Sequence, residues 1–349
     1  MRMKVRVGKN GHFSTVSEAV QAVPYETPAI IYVEAGIYKE KIFCEKKEIE
    51  IVGDGMESTV IEYDDGAFDV LPDGTKRGTF RSYTAFFSGE KVTVKNMTIR
   101  NTAGDGSVAG QALAVYADSK KCYYENVKLE GHQDTLFMSP LPVSERQKNG
   151  FMGPRVLTPR INTKQYYKNC VITGDVDFIF GGADAVFDDC RIICNDRTRQ
   201  EREAKDACPE DDKVSVLSDE RYINGYITAP CGAKDGLGMI FRRCVVKGEE
   251  GSPKASVFLS RPWRDEAKTV YLDCTMDDTI APERFSGWGA IDKVHEDTFY
   301  GEFGSVYEDG KRISLGLRNS WVKEIDEREA KRISAAADEL IKSVKRENE

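Results

Sequence analysis

Two aspartates, Asp134 and Asp177, occupy the same place in two similar stretches of the sequence. Each lies eight residues after an asparagine, Asn126 or Asn169, and glycine and phenylalanine recur at matching offsets. A chain that repeats a pattern in this way usually stacks the copies as coils, whose equivalent strands lie ~4.8 Å apart. The two carboxylates would then be neighbours, which is unfavourable unless one holds a proton or a cation intervenes. Many hydrolases use such a pair to separate acid/base work from nucleophilic work.

The repeat extends beyond these two stretches. A motif with apolar residues at its first, fourth and sixth places and a polar residue at its third occurs at 94–99, 124–129, 167–172, 187–192, 241–246 and 271–276. Its copies are short β-type runs, separated by 30, 43, 20, 54 and 30 residues. Irregular spacing is unlike a propeller, and strands without intervening helices are unlike a βαβ fold. We therefore expect an all-β chain folded as a parallel β-helix, whose coils tolerate inserted loops.

Both ends of the stack are predicted to carry a helix. Thr15-Val-Ser-Glu18 has the spacing of a capping box, which predicts a short helix that closes the first coil. Near the other end, apolar residues at helical spacing predict a tail helix against the sheet: Ile333, Ala337, Leu340, Ile341 and Val344. The chain is then one domain, with a cap (1–25), coils (26–320) and a C-terminal helix (321–349). Two loops are inserted, at 138–164 and 195–224.

Composition excludes several classes of partner. The net charge of -8 argues against binding to nucleic acid or anionic membranes. No apolar stretch approaches the ~20 residues of a membrane span, and the first residues lack the apolar run of a secretion signal. The nine cysteines show no CxxC and no zinc-type spacing. We therefore expect reduced thiols and a cytoplasmic protein, unless a leader has been removed.

Five blocks of sequence carry a more specific signal. They read Gly36-Ile-Tyr-Lys-Glu40, Gln111-Ala-Leu-Ala-Val-Tyr116, Gly131-His-Gln-Asp-Thr135, Gly174-Asp-Val-Asp-Phe-Ile-Phe-Gly181 and Leu259-Ser-Arg-Pro-Trp263. In this order they resemble the pectin methylesterases of the carbohydrate esterase class, with Ser260 where that family has glycine. Weaker similarity covers nearly the whole chain. The resemblance implies a right-handed, single-stranded parallel β-helix, in agreement with the stack of repeats.

The resemblance also implies a role for each residue of the site. Asp177 matches the nucleophile, and Asp134 matches the general acid that later becomes the base. Gln111 and Gln133 match the donors to the oxyanion. Arg261 matches the arginine that orients the nucleophile and keeps it ionised, since an adjacent guanidinium lowers a carboxyl pKa. The substrate-binding positions are Trp263, Thr79, Phe180, Gln111 and Arg261.

Simpler roles are open for several of these residues. Gln111 and Gln133 could form a structural amide ladder along the stack, and Arg261 and Trp263 could form a plain cation–π contact. His132 adjoins Gln133, but strand alternation turns the two side chains apart, which favours a structural role for the histidine. No G-x-S-x-G, HExxH or EF-hand spacing is present, so a serine hydrolase is disfavoured and no metal is implied.

One departure from the family is the segment 138–164, which separates the two aspartates and must loop out if the coils are to stack. It carries four prolines and leaves the stack near the cleft. We expect it to wall one end of the cleft and to favour short galacturonides over polymer. A second departure is Pro230, which lies where relatives often carry glutamine.

Three functions are compatible with the sequence. The first is a cofactor-independent esterase that releases methanol from methyl-esterified galacturonan or oligogalacturonides through an acyl-enzyme. The second is a calcium-dependent pectate lyase or a polygalacturonase on the same fold, and the third is a catalytically silent carbohydrate-binding β-helix. The pairing of acids with glutamines favours the esterase, because a lyase needs an acidic calcium site and a basic residue. A β-helix with both ends covered needs no partner, so we expect a monomer.

Overall fold

The computed structural model describes residues 2–199 and 222–346. Within them, the strands pair into three parallel ladders, and the coils of the chain supply strands to the ladders in turn. The chain is therefore a parallel β-helix with three faces, and the fold class expected from the repeat is confirmed. Successive coils are hydrogen-bonded in register. Residues at equivalent places in successive coils therefore lie next to one another and form columns of side chains along the stack.

The three ladders are built from strands of different length. The first contains Met3–Val7 (β1), Ala29–Val33 (β2), Glu48–Gly53 (β5), Lys91–Asn101 (β8), Lys121–Glu130 (β10), Lys164–Lys168 (β12), Asp184–Asp188 (β15), Met239–Arg242 (β18), Lys268–Leu272 (β21), Phe299–Phe303 (β23) and Lys323–Glu324 (β25). The second shares β8 and β10 and adds Gly36–Lys39 (β3), Thr59–Tyr63 (β6), Val171–Gly174 (β13), Arg191–Cys194 (β16), Val245–Gly248 (β19), Thr275–Met276 (β22) and Val306–Tyr307 (β24). The third contains Ile42–Cys44 (β4), Ala85–Phe87 (β7), Val115–Ala117 (β9), Leu136–Met138 (β11), Val176–Gly181 (β14), Gly225–Pro230 (β17) and Val257–Ser260 (β20).

The polar third place of the sequence motif is the corner between the first two ladders. All six residues there have left-handed backbone, with φ between 51° and 56°: Asn96, Asn126, Asn169, Asp189, Arg243 and Asp273. Asparagine and aspartate tolerate this conformation better than most residues. The corners also touch along the stack, since Asn126 Nδ2 donates to the side-chain oxygen Oδ1 of Asn96 at 3.2 Å. A six-residue pattern thus bends the chain at the same point in coil after coil.

The first place of the same motif fills the interior with stacked rings. From the second copy onward these rings lie nearly parallel, with centres 4.4–4.9 Å apart: Tyr124, Tyr167, Phe187, Phe241 and Tyr271. All are fully buried. The spacing is that of neighbouring strands, so the column follows directly from the parallel register.

In the last four copies of the motif, the fourth place holds a column of buried thiols. Each Sγ donates to a backbone carbonyl of the preceding coil, as Cys190 does to Tyr167 and Cys244 does to Phe187. All eight cysteines in the described residues are free. The thiols therefore fill space and also satisfy carbonyl groups at the corners.

Helices cover both ends as expected. Val16–Ala22 begins at a complete capping box between Thr15 and Glu18 and closes the first coils, although β1 already pairs with β2 ahead of it. The C-terminal helix, Glu327–Lys345, lies against the outer surface of the first ladder. Its buried residues are Ala330, Ile333, Ala337, Leu340 and Val344, and Ile341 packs beside them. The other helices described are the 3-10 turn Thr79–Arg81 and the short Gly106–Ala109.

Both predicted insertions lie between ladder strands in the sequence. The first runs from the end of β11 to the start of β12, within the bounds 138–164. The second, at 195–224, falls largely on residues outside the described ranges, so its path is not described.

Across 2–199 and 222–346, no helix is both long and apolar enough to cross a membrane.

Candidate active site

The third ladder places Asp134 and Asp177 at matching positions of adjacent coils. Leu136 pairs with Ile179 in register, and the Asp134 amide donates to the Val176 carbonyl at 3.0 Å. Both aspartates have left-handed backbone, with φ of 67° and 51°. Their side chains are almost fully buried, with 8% and 6% of the residue surface exposed. The structure thus brings together the two carboxylates, each in a backbone conformation that the stack must enforce.

Arg261 reaches Asp177 from the end of the ladder. It directly follows β20, and its amide donates to the Thr228 carbonyl at 2.9 Å. Its side chain donates twice, from Nε to Asp177 Oδ1 at 2.7 Å and from Nη2 to Oδ2 at 2.6 Å. A bidentate pair of this kind fixes the plane of the carboxylate as well as its charge. Among the described residues, Asp134 forms no ion pair, so the two acids are electrostatically unequal.

Burial dominates the protonation of both acids. It raises the pKa of Asp134 well above its usual range, and the neighbouring charge of Asp177 raises that pKa further. Burial also raises the pKa of Asp177, while the charge and hydrogen bonds of Arg261 oppose the rise. The Arg261 guanidinium therefore lowers the pKa of Asp177 as expected from the sequence, but desolvation outweighs the ion pair and the net shift is upward. The proton still belongs on Asp134, which has the larger rise and no bonded cation.

Two aromatic rings flank the Arg261 guanidinium. Its central carbon lies 4.0 Å from the ring centre of Tyr226 and 4.4 Å from that of Trp288. The contact with Trp263 considered from the sequence is wrong, since that ring is approached by Arg264 at 5.0 Å instead. The reason is that the Arg261 guanidinium points towards Asp177. Its two planar faces are then covered by the rings that lie beside that carboxylate, those of Tyr226 and Trp288. Such stacking restrains a guanidinium without competing for its N–H groups.

The two glutamines lie at the same edge of the third ladder. Gln133 adjoins Asp134, and Gln111 lies one coil earlier, ahead of β9. Their backbones continue the stack, with the Ala112 amide donating to the Gln133 carbonyl at 3.1 Å. No hydrogen bond joins the two side-chain amides within the described part of the chain, so an amide ladder is not observed. Gly106 lies against the Gln133 side chain, where a Cβ would come within 2.7 Å of Oε1.

Aromatic side chains on the outer surface of the third ladder form one wall of the site. The Phe180 ring lies 5.6 Å from that of Trp263, at 62°. Phe151, from the first insertion, approaches Trp263 from another side at 6.2 Å and 80°. The Trp263 amide donates to the carbonyl of Pro230 at 3.0 Å. Insertion and ladder therefore hold the same indole, which leaves part of it facing the cleft.

A cavity of about 240 Å³ opens over the two aspartates. Every residue that the resemblance assigned to the site lines it: Thr79, Gln111, Gln133, Asp134, Asp177, Phe180, Arg261 and Trp263. Its other walls include residues that the sequence analysis did not single out: Phe80, Arg146, Phe151, Arg264 and Trp288. A signal existed for two of these. Trp288 is one of three tryptophans in the chain, and Arg264 directly follows the fifth block.

A histidine and an aspartate form a further side-chain contact between the two coils. His132 Nδ1 and Asp175 Oδ2 are 3.0 Å apart, and this contact raises the pKa of His132. Each partner lies two residues before one of the paired aspartates, so the contact joins the same two coils. Asp105 lies nearby, and the three residues place possible ligand atoms within 4.8 Å of one another. Because the histidine and Asp175 already satisfy each other, the contact explains His132 as a structural link between coils.

The sequence of the chain matches one family model along most of its length. That family is described as Pectinesterase, and it matches residues 3–148 and 160–342. The unmatched stretch falls inside the first insertion. The match therefore extends into both ends of the insertion and omits only its middle, residues 149–159.

Individual proteins give the same result. A probable pectinesterase/pectinesterase inhibitor of Arabidopsis thaliana is 31% identical over 92% of the chain, which spans only 48% of that protein. A pectin methylesterase structure from Yersinia enterocolitica is 27% identical, with a TM-score of 0.68 over 91% of this chain and 96% of that one. A pectin methylesterase in complex with a hexasaccharide superposes with a TM-score of 0.71 at 23% identity, over 95% of each chain. The chain thus spans about half the length of several curated relatives, and it spans nearly the whole length of the two solved structures.

Proposed function

The chain belongs to the pectinesterase family, and we propose that it hydrolyses methyl esters of galacturonate units in pectin or its oligosaccharides, releasing methanol. The observation that carries the proposal is the unequal acid pair. Asp177 is held by Arg261 through two hydrogen bonds, and Asp134 beside it is buried, with no bonded cation among the described residues. One carboxylate is thereby prepared to attack, and the other to hold a proton.

In the first half of the proposed reaction, an Asp177 oxygen attacks the ester carbonyl carbon. The carbonyl π electrons move to oxygen, and the amide N–H groups of Gln111 and Gln133 donate to that oxyanion. The intermediate collapses, the bond to the methoxy oxygen breaks, and Asp134 gives its proton to that oxygen. Methanol leaves, and the galacturonyl group remains on Asp177 as a mixed anhydride.

In the second half, Asp134 is ionised and acts as the base. It takes a proton from water as the water oxygen attacks the same carbonyl carbon. Collapse of the second intermediate breaks the bond to Asp177 and returns that carboxylate to Arg261. The product carries a free carboxyl group, and Asp134 is protonated again, so the site returns to its starting state.

The aromatic wall supports a sugar as the substrate. Trp263 presents part of its ring to the cavity beside Phe180, and an apolar ring surface suits the C–H face of a pyranose. Thr79 also lines the cavity, in a 3-10 turn, and its hydroxyl can bind a sugar hydroxyl. A hexasaccharide occupies one structure of the same fold, which supports a galacturonan chain as the ligand here.

The test is methanol and acid release from highly methylated pectin. We expect release without calcium, unchanged by a chelator, and no rise in ultraviolet absorbance, which would report the unsaturated product of a lyase. Asp177→Asn serves as the matched variant, because it retains shape and removes the nucleophile. Absorbance that rises only with calcium would overturn the proposal in favour of a lyase, and binding without release would favour a silent carbohydrate-binding protein.

A further inference from the structure

The contact between His132 and Asp175 lies beside the backbone bonds that hold the two acid-bearing coils together. The side chains meet at 3.0 Å, from Nδ1 to Oδ2, and the Asp175 amide donates to the His132 carbonyl at 3.3 Å. The next bond along runs from the Asp134 amide to the Val176 carbonyl at 3.0 Å. Each partner of the side-chain contact lies two residues before one of the catalytic acids. The contact therefore restrains the two segments from which those acids project.

One partner of the contact is a buried charge. Asp175 is only 1% exposed, and its Oδ1 accepts from the Val176 amide at 2.7 Å. Within residues 2–199 and 222–346, no lysine or arginine forms an ion pair with this carboxylate. A carboxylate removed from water is costly unless a partner balances its charge. A protonated His132 supplies that charge.

The His132 ring is partly open to solvent. Its side chain is 36% exposed and lines a cavity of about 750 Å³. In the described part of the chain, no residue lines both this cavity and the one over the two aspartates. Protons can therefore reach the ring from water, on a surface that is separate from the substrate cleft.

Acidic groups from several elements surround the ring. The hydrogen bond to Asp175 is the main cause of the raised pKa of His132, and burial of the ring opposes it. The charges of Asp105, ahead of the helix Gly106–Ala109, and of Glu249, after β19, raise that pKa further. The same cavity has four other charged groups, of both signs: Arg100, Glu130, Asp196 and Arg197. The histidine therefore retains its proton to a higher pH than an ordinary imidazole.

The charge of Asp175 acts on both catalytic acids. Burial is the main cause of the raised pKa of Asp134 and of Asp177, and the charge of Asp175 raises both pKa values further. At Asp134 this helps the general acid to keep its proton. At Asp177 it opposes the ionised form that a nucleophile needs. An imidazolium beside Asp175 offsets this effect, because it brings a positive charge to the same place.

We propose that His132 and Asp175 are positioning residues: their contact holds the two acid-bearing coils in place, and the protonated histidine balances a buried charge that would otherwise hinder ionisation of Asp177. The inference rests on the proposed function, because it concerns the nucleophile of that reaction. Neither residue lines the cavity over the acids, so both act through the acids and not on the substrate. The pair extends the activity towards lower pH, since it keeps Asp177 ionised there.

The acid limb of the pH profile of kcat/KM on methylated pectin tests this inference. His132→Gln leaves Asp175 unbalanced, so the limb should move to higher pH by about 0.5–1 pH unit. Asp175→Asn removes the charge itself, so the limb should stay at its wild-type position or move to lower pH. The double variant carries neither charge, and its limb should return close to that of the wild type.

The chain offers a matched control at another histidine. His295 also lies beside an aspartate, with Nδ1 3.6 Å from Oδ2 of Asp297, and it lines neither cavity. His295→Gln should retain the wild-type limb. A purely structural link would lower kcat in both His132→Gln and Asp175→Asn and leave the limb in place, and that result would overturn the proposal. An upward shift of similar size in both single variants would also overturn it.

A titration of the histidines by NMR separates this inference from the proposed function. The chain has three histidines, so the two glutamine variants assign the signals. Coupling between titrating groups is reciprocal. Asp175→Asn should therefore lower the pKa of His132 by about 0.5 pH unit or more, and Asp177→Asn should lower it by a smaller amount. These shifts support the positioning pair even if no methanol is released. Methanol release from the wild type, with the His132 titration unchanged in both variants, would leave the esterase in place and remove the pair.

Discussion

Arg261 holds Asp177 by two parallel hydrogen bonds of 2.7 and 2.6 Å, a contact between residues 84 positions apart in sequence. The β-helix makes it possible, because one coil separates the strand of Asp177 from the strand that precedes Arg261. The pair orients one carboxylate, whereas the second, on Asp134, has no bonded cation within residues 2–199 and 222–346. The two aspartates have identical side chains, and they differ because only Asp177 is hydrogen-bonded to Arg261.

Replacement of either acid should abolish turnover while leaving the fold intact. Asp177→Asn removes the nucleophile, and Asp134→Asn removes the proton that methanol requires, so we expect losses of about 10³-fold or more for each. Asparagine tolerates left-handed backbone, which both positions need. Methanol release should be measured beside Asp64→Asn, a surface control. Activity above a tenth of wild type in either variant, without deamidation, would contradict the two-aspartate mechanism.

Removal of the guanidinium should lower turnover more than it weakens binding. Arg261→Lys retains a positive charge and loses the bidentate geometry, so we expect kcat to fall by about 10²-fold, and Arg261→Ala by more. A rise in KM with kcat unchanged would show that Arg261 is instead a clamp on the substrate. Tyr226→Phe, which retains the stacked ring, is the control.

The pH profile of kcat/KM should be bell-shaped. Activity requires Asp177 ionised and Asp134 protonated, so it falls as Asp177 takes up a proton on the acid side and as Asp134 loses its proton on the alkaline side. Because burial and Asp177 raise the pKa of Asp134, the alkaline limb should lie well above the usual range of a carboxyl group. An alkaline limb within that usual range would contradict the assignment.

The raised pKa of Asp134 also predicts that ionisation of this carboxyl group destabilises the folded protein. A carboxyl group whose folded-state pKa is raised contributes most to stability below its unfolded pKa of ~3.9, and the contribution is lost as pH rises through the folded value. Asp134→Asn removes that loss, so its melting temperature at pH 7 should exceed that of the wild type by about 2 °C or more. The difference should shrink at pH 4. A lower melting temperature at pH 7 would contradict the direction of the shift.

Deletion of the insertion should alter the choice between oligomer and polymer. Phe151 packs on Trp263, and Arg264 holds the loop at Ser144, so the loop is part of the rim. Replacement of residues 143–161 by a short linker should raise the rate on intact pectin relative to methylated hexamers. A preference for polymer that is present in the wild type and survives the deletion would contradict this prediction.

Alkylation of the protein without reductant should show free thiols. Cys170, Cys190, Cys244 and Cys274 each donate to a backbone carbonyl, and all are buried. We expect no disulfide by mass spectrometry of freshly purified protein. Two intact disulfides would instead indicate maturation in an oxidising compartment, which would contradict the cytoplasmic location predicted from the sequence.

The sequence predicted the fold because its repeat has a local physical cause. The polar third place of each motif is a left-handed corner, and the apolar places fill the interior, so the pattern is visible without tertiary information. Both helices were predicted for the same reason, from a capping box and from helical spacing. The bounds of the single domain stay a prediction, and β1 shows that the stack begins inside the segment predicted as the cap (1–25).

The parts that sequence did not predict depend on contacts between distant segments. Trp288 and Tyr226 flank Arg261 from two other coils, and neither has a local pattern that announces this. The sign of the shift at Asp177 depends on how deeply the carboxylate is buried, which a motif does not encode. Arg146 lines the cavity because it belongs to an insertion that is held in place by two contacts. Phe151 of the insertion packs on Trp263, and the Ser144 carbonyl accepts from Arg264.

The C-terminal helix gives the stack a property that coils alone lack. A solenoid unfolds readily from its ends, because each coil is held only by its neighbours. Here one helix packs across side chains of successive coils, from Tyr123 through Tyr166 and Val186 to Ile240. Its last turn also accepts from Lys91 Nζ, 254 and 255 positions earlier in the chain. The helix therefore connects coils that are not neighbours in the stack. Unfolding that begins at the last coil must also break the contacts between the helix and coils in the middle of the molecule.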